Sequence, residues 1–133
     1  MHRLGTHLLH VEGDFMSLEW NGEFHLEDLR GFLLLAEQIL REHGWLFVLV
    51  DSSGAGRLQP DARKYVVTWR APEGTTICAA FFGASFTVRV IVNTVAAATR
   101  LLSGRQPMPF HFAGTEQAAL GWLDAQRQAR VRA

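Results

Sequence analysis

The spacing of apolar side chains along the chain changes between the period of a strand and the period of a helix. Two short β-prone runs, Thr6 to Val11 and Phe15 to Trp20, flank Glu12-Gly13-Asp14, which predicts a hairpin. From Leu26 onwards the apolar positions recur with helical spacing, and Gly44 is expected to end that helix. The chain is therefore predicted to open with two antiparallel strands followed by a helix.

Two later runs carry almost no polar residue and are predicted to be central strands. Trp45 to Val50 (WLFVLV) is apolar throughout, and Thr76 to Phe82 (TICAAFF) is nearly so. This composition is typical of parallel strands, which are covered on both faces. Asn21-Gly22 is expected to end the second strand, and the small-residue segment Ser52 to Gln59 is predicted to be a loop.

The remaining segments predict three helices and one short strand. Pro60-Asp61 suits a helix start, because proline fits the first turn and an acidic side chain favours the positive end of the dipole. Ala84 to Leu102 contains β-branched residues, but its length and helical apolar spacing favour a helix. Pro107 to Phe112 is predicted to be an edge strand, and Thr115 to cap a last helix.

The predicted order is β-β-α-β-α-β-α-β-α within one domain, residues 1–133. Strands that alternate with helices imply a partly parallel sheet with right-handed crossovers, to which the hairpin adds an antiparallel edge. We therefore expect an α/β fold with a mixed, mostly parallel sheet of about five strands and about four helices.

Composition narrows the function classes. The chain has 133 residues, 48% of them hydrophobic and 20% charged, which is typical of one globular domain. Thirteen basic residues balance thirteen acidic ones, so no global charge favours binding to nucleic acid. The N-terminal region lacks the apolar core of a signal peptide, and no apolar run is long enough to span a membrane. A cytoplasmic protein is expected.

Two residue types add smaller expectations. Cys78 is the single cysteine, so no intramolecular disulfide can form, and its place in an apolar strand predicts a buried core residue. Basic residues are almost all arginine, with Lys64 as the one lysine, and this bias is typical of a GC-rich bacterial genome.

Four stretches carry a family resemblance: the opening hairpin to Trp20, the strand WLFVLVD, the segment PDARKYVVTW and the terminal GTEQAALGWL. Together with the element order, they resemble the STAS fold (sulphate transporter and anti-sigma-factor antagonist), and in particular its SpoIIAA-like branch, the STAS/SEC14 domain proteins. The resemblance covers nearly the whole chain. It implies a non-enzymatic regulatory module, expected to be a homodimer, that docks to a protein partner and needs no cofactor.

In anti-sigma-factor antagonists, a DSSG-type string places a phosphorylatable serine at a helix start. Asp51-Ser52-Ser53-Gly54 matches the string, but here Asp51 directly closes the central strand. That register places the helix start at Pro60-Asp61-Ala62-Arg63, where Ala62 has no hydroxyl. Phosphorylation of Ser52 or Ser53, which would add about two negative charges, is therefore a secondary hypothesis.

The resemblance also implies where a partner docks, namely the loop after the central strand and the start of the next helix. The expected interaction surface consists of Asp51, Ser52, Ser53, Gly54, Asp61, Arg63 and Lys64. Ligands of open α/β sheets commonly bind at the carboxyl ends of strands, which makes Asp51 a small-molecule candidate. The alternative is a turn in which these side chains accept backbone hydrogen bonds.

A second hypothesis is a carrier or sensor of a small apolar, lipid-like ligand. The first and third long helices are apolar on more than one side, and such surface has to be covered. The expected groove between them is lined by Phe32, Leu35, Val88, Ile91 and Val95. Self-association is the alternative cover for the same surface.

The third hypothesis, a serine-dependent hydrolase using Ser52 or Ser53, has the least support, and no catalytic residue is assigned. Gly83-Ala84-Ser85-Phe86-Thr87 lacks the closing glycine of a nucleophile elbow, so Ser85 is expected to cap a helix instead. The six histidines show no metal-site spacing, and no metal is expected.

Overall fold

The structure is a computed structural model that describes residues 1–104 and 108–131. Three consecutive strands open the described chain, and helices then alternate with three further strands, as the sequence predicts for the part after the hairpin. The strands are β1 (His2–Leu4), β2 (His7–Glu12), β3 (Phe15–Phe24), β4 (Trp45–Leu58), β5 (Thr76–Phe82) and β6 (Phe110–Ala113). The helices are α1 (Leu26–His43), α2 (Pro60–Thr68), α3 (Phe86–Ser103) and α4 (Glu116–Val131).

One mixed sheet contains all six of these strands in chain order. The β1–β2 and β2–β3 pairs are antiparallel, whereas β3–β4, β4–β5 and β5–β6 are parallel. The expected mixed α/β architecture is confirmed, with six strands rather than five. The additional strand, β1, is a three-residue edge that pairs with the start of β2.

Strand β4 is buried on both sides, as its uniform apolar composition predicts. Leu46, Val48 and Val50 point to one side, where they join a large core beneath α1, α2 and α3, the three-helix face. Phe47 and Leu49 point to the other side, where they join a smaller core beneath α4, the α4 face. The sheet is thus the middle layer of three.

Local signals set the helix ends as expected. Gly44 adopts φ +86° and donates its backbone N–H to Leu40 at 2.8 Å, which closes α1. The Ser85 hydroxyl accepts from the backbone N–H of Val88 at 3.2 Å and caps α3. Thr115 caps α4 in the same way, through the N–H of Ala118 at 3.1 Å. The ambiguous segment 84–102 is confirmed as a helix.

The predicted loop from Ser52 to Gln59 and the predicted strand end at Asn21-Gly22 are both wrong. Strand β3 continues to Phe24 and β4 to Leu58, and the two stay paired through two register shifts. Glycine allows this close pairing, because a Cβ on Gly56 would lie 2.8 Å from the carbonyl carbon of Gly22. Small residues that resemble a loop therefore encode an irregular strand pair.

The structure describes only part of the predicted edge strand Pro107 to Phe112. Strand β6 begins at Phe110 and pairs with β5, and Pro107 lies outside the described residues.

Asp14, in the turn between β2 and β3, joins three parts of the fold on the α4 face. One carboxylate oxygen accepts from the Trp45 indole N–H at 2.7 Å and from the Arg127 guanidinium at 2.5 Å. Arg127 also lies over the Phe47 ring, 4.5 Å from its centroid. Burial alone would raise the pKa of Asp14, but the two hydrogen bonds lower it overall.

A second polar cluster surrounds the fully buried His7 in β2. Its Nδ1 accepts from the backbone N–H of Asn21 at 2.9 Å, which leaves Nε2 as the protonated nitrogen that donates to the Glu23 carbonyl at 3.0 Å. Asp28 of α1 lies 3.4 Å from Nε2, and the ring stacks on Phe24. Burial lowers the pKa of His7 despite the neighbouring Asp28 carboxylate.

We predict that Asp14→Ala lowers the free energy of unfolding by about 1–3 kcal/mol, because it leaves the Trp45 and Arg127 donors without their acceptor. Urea denaturation measures this change. Glu37→Ala, which breaks the exposed Glu37–Arg41 pair at 2.6 Å, is the control and should cost at most about 0.5 kcal/mol. Equal losses in the two variants would contradict the role given to Asp14.

We predict that stability falls as the pH drops below about 6.5, the ordinary pKa of histidine. Since the native state holds His7 neutral at a lowered pKa, the unfolded chain takes up a proton first, and acid favours unfolding. His7→Gln should flatten the dependence of unfolding free energy on pH in this range. His10→Gln, at an exposed position of the same strand, should leave the slope unchanged. An unaltered slope in His7→Gln would refute the assignment.

Candidate ligand-binding cavity

A cavity of about 730 Å³ lies between the sheet and the three helices of the three-helix face. Its floor is formed by side chains of β3, β4 and β5 that point to this side, among them Leu18, Val48, Val50 and Ala79. The volume falls within the range of small-molecule binding pockets, about 300–1,000 Å³. Protein interiors rarely contain voids much larger than a water molecule.

The walls of the cavity are apolar as well. Leu29, Phe32 and Leu33 of α1 form one wall, and Ile91 and Val95 of α3 contribute to the opposite one. The aromatic residue Trp20 lies on the floor.

Trp20 does not make the deep part polar, because its indole N–H donates to the Gly22 carbonyl at 2.9 Å. Water in such a site would find few hydrogen-bond partners, so the deep part favours apolar contents.

Small side chains explain why three helices leave this space unfilled. Ala79 lies on the cavity side of β5, where its neighbour two residues earlier is Ile77. Ala96 faces the cavity from α3, and Ala71 and Gly74 face it from the segment between α2 and β5. A larger residue at any of these positions would occupy part of the volume.

The cavity opens at the end of the sheet where β5 begins. Its exposed lining residues, Glu73, Gly74 and Met108, define the mouth. Thr75, Thr76 and Thr99 also line the cavity and carry hydroxyl groups. Side chains alternate along β5, so the Thr76 side chain points to the side of Cys78, on the α4 face, and away from the cavity. The site therefore has an apolar interior and polar groups in the segments that surround its opening.

Three of the five residues predicted for an apolar groove line the cavity, namely Phe32, Ile91 and Val95. Val88 lies deeper, at 2% exposure, in the core shared with the cavity floor, and Leu35 packs against the same core without reaching the cavity. The cavity thus includes part of the predicted groove between α1 and α3 and extends further along the sheet; that a ligand binds there stays a prediction.

The mouth is the part that sequence reasoning missed. The sequence predicts only a turn at Pro72-Glu73-Gly74, whereas Ala71 to Thr76 supplies a continuous stretch of the lining. A signal was present in the sequence, since Trp69 and Ala71-Pro72 place apolar side chains in a segment without regular structure. Buried or half-buried apolar residues in a connection usually cover a core or a ligand.

The residues predicted as a docking surface do not share one exposed patch. Ser52 is 2% exposed, whereas Ser53, Gly54, Asp61 and Lys64 are exposed. Arg63 is half-buried, and its Nε donates to the Leu58 carbonyl at 2.9 Å. The segment that carries the first four of the seven residues is strand rather than loop.

Asp51 makes a local hydrogen bond, Ser52 is buried, and Ser53 has a close neighbour. The Asp51 carboxylate accepts from the backbone N–H of Ser53 at 3.0 Å, as the turn-like alternative predicted. The buried Ser52 hydroxyl has no hydrogen-bond partner among the described residues. Ser53 lies so close to Gly83 that a Cβ there would meet its hydroxyl. Burial of Ser52 makes it inaccessible to a kinase in the folded protein, whereas Ser53 is exposed.

Other candidate chemistry is sparse in the part of the chain that the structure describes. A cleft of about 160 Å³ beside the middle of β3 and β4 and the end of β5 is lined by Glu19, Asp51 and Glu116 among others. No group of three potential metal-ligating side chains occurs among residues 1–104 and 108–131. Cys78 is fully buried, as expected, and burial raises the pKa of its thiol.

A solved structure shares this architecture. It is an uncharacterized protein of the DUF3478 family from Shewanella loihica with a SpoIIAA-like fold. The two chains are 19% identical, the TM-score is 0.52, and the match covers 92% of this chain and 98% of that chain. The fold of the present chain is SpoIIAA-like, which confirms the resemblance seen in the sequence; likeness at this identity establishes the fold alone.

No family model matches the chain, and no curated protein sequence matches it. Within the described residues, none of the helices combines the length and hydropathy that crossing a bilayer requires.

We predict that Gly56→Ala destabilises the protein by about 1–3 kcal/mol, because the new methyl group meets the Gly22 backbone, which cannot rotate away. Gly114→Ala, where nothing lies within 4 Å of the added Cβ, is the matched control and should change stability by less than about 0.5 kcal/mol. Chemical denaturation compares the two. Equal midpoints would show that the glycines of the DSSGAG string do not serve strand pairing.

Proposed function

We propose that this chain is a non-enzymatic binding module that holds a small apolar molecule in the cavity of its three-helix face. The observation that carries the proposal is the cavity itself: about 730 Å³ of space with a mainly apolar lining beside a well-buried core. A protein that leaves such a space empty loses the contacts its lining could make. An apolar ligand restores them.

The uneven burial of α3 supports a route by which a ligand enters the cavity. Its first half is anchored, since Val88 and Ile91 are 2% and 6% exposed. In its second half the residues facing the sheet, such as Val95, Ala96 and Thr99, are only half-buried, because the cavity lies beneath them. A small outward movement of this half would widen the mouth at little cost in core packing.

Docking to another protein is a second candidate, favoured by exposed apolar side chains on α3. Phe86 and Leu101 are both 81% exposed, and Leu102 is 79% exposed. Leu101 and Leu102 are adjacent at the end of α3, whereas Phe86 lies at its start, so the Leu101–Leu102 end is the candidate patch, and contiguous apolar surface commonly marks an interface. We place a dimer or partner contact on α3 in this case, rather than on the segment Asp51 to Lys64 that the resemblance implied.

The proposal predicts that protein expressed in bacteria and purified without detergent retains a bound molecule. Native mass spectrometry should show an additional mass that disappears in the denatured spectrum. The same spectrum reports the number of subunits, which tests the dimer.

Ala96→Trp should abolish the additional mass while the protein stays folded, because the indole occupies the cavity. Ala97→Trp is the matched control at the next, exposed position outside the cavity lining, and it should retain the mass. Loss of the mass in both variants, or its absence from the parent protein together with failure to bind added apolar molecules, would contradict the proposed function.

A further inference from the structure

The polar groups near the mouth determine which chemical kind of polar end group a ligand can have. The Thr75 hydroxyl donates its proton to the Pro72 carbonyl at 2.5 Å, and the Thr99 hydroxyl donates to the Val95 carbonyl at 2.9 Å. Each hydroxyl has one proton and two lone pairs. With the protons engaged, both groups offer acceptors to a ligand.

The charge of the cavity lining also disfavours an anionic end group on the ligand. Among the described residues that line the cavity, Glu73 is the one with an ionisable side chain, and its carboxylate can only accept hydrogen bonds. No lysine, arginine or histidine belongs to that described lining. A ligand carboxylate or phosphate would meet acceptors and a like charge.

Resting on the proposed function, we infer that the cavity selects an apolar chain whose polar end is an uncharged hydrogen-bond donor, such as a primary alcohol. Its hydroxyl can donate to Thr75, Thr99 or Glu73, while the chain fills the apolar part next to Trp20 and Phe32. An anionic end would be partly removed from water without a partner, which costs binding free energy.

Nearby arginines provide the competing possibility. Arg70 and Arg100 are exposed and adjoin lining residues in sequence without lining the cavity themselves. Salt screens these charges as it screens that of the exposed Glu73, but Glu73 belongs to the lining and the two arginines do not, so the Glu73 charge is the nearest to a ligand. Arg105 lies outside the described residues, so its contribution is decided by experiment.

The test compares three ligands of equal chain length: decanol, decanoic acid and decyl methyl ether. Binding to the parent protein, emptied by solvent extraction and refolded, is followed at neutral pH by calorimetry and by the fluorescence of Trp20 and Trp69, which both line the cavity. Decanol should bind at least about tenfold more tightly than decanoic acid, or about 1.4 kcal/mol. The ether, which has no donor, should also bind more weakly than decanol.

Two variants test which residues cause the difference in affinity between the ligands. Glu73→Gln should raise the affinity for decanoic acid a few-fold, because it removes the like charge, and should not raise the affinity for decanol, because the amide oxygen remains an acceptor of no greater strength. Thr99→Val should narrow the difference between decanol and the ether. Glu42→Gln, an exposed carboxylate in the last turn of α1 outside the lining, should alter none of the affinities.

The outcomes distinguish a failure of the inferred preference for an alcohol from a failure of the proposed binding of apolar molecules. Decanoic acid that binds as tightly as decanol would overturn the inference and leave the cavity proposal standing. Loss of that binding in Arg70→Gln, Arg100→Gln or Arg105→Gln would then identify an anion site. If none of the three ligands binds, the proposed function fails, and the inference fails with it.

Discussion

The whole architecture depends on covering strand β4 on both faces. From Leu46 to Val50 every side chain is buried, and neighbouring side chains point to opposite sides of the sheet. Each side therefore needs its own layer of helix, and burial of these apolar side chains stabilises the three-layer arrangement. On the α4 face, a single helix closes the core. On the three-helix face, the same requirement brings three helices over a wider area, and small residues such as Ala79 and Ala96 leave a cavity there.

Two polar clusters fix the sheet that carries the cavity, one around the partly buried Asp14 on the α4 face and one around the buried His7. Asp14 connects the turn after β2 to β4 and α4, while His7 and Asp28 connect β2 and β3 to the start of α1. Hydrogen bonds of this kind specify one arrangement, since a broken bond leaves a buried polar group unsatisfied. Helix α3 is held differently: its first half packs into the core, and its second half stands over the cavity. Rigid surroundings keep the site preformed, and the less tightly packed half of α3 allows a ligand to enter it.

Periodic and uniformly apolar segments could be predicted from the sequence, because their burial pattern is local. The two central strands, the four helices and the caps at Ser85 and Thr115 follow from such patterns. The continuation of β3 and β4 past Asn21 and Asp51 could not, since it depends on pairing between glycines far apart in sequence. For the site, the α1 and α3 side chains were found by helical spacing. The α2–β5 segment was not, because the apolar residues Trp69 and Ala71-Pro72 indicate that this connection covers apolar surface but do not indicate that the surface belongs to a cavity.

The most direct test of the central claim is to locate a bound apolar molecule by NMR. With methyl groups labelled in leucine, isoleucine and valine, decanol should give intermolecular NOEs to Leu29, Leu33 and Val95, which line the cavity. Leu49 and Leu123, in the core of the α4 face, should give none. Contacts confined to the exposed Leu101 and Leu102, or spread evenly over both faces, would contradict the account and show that the cavity is not the binding site.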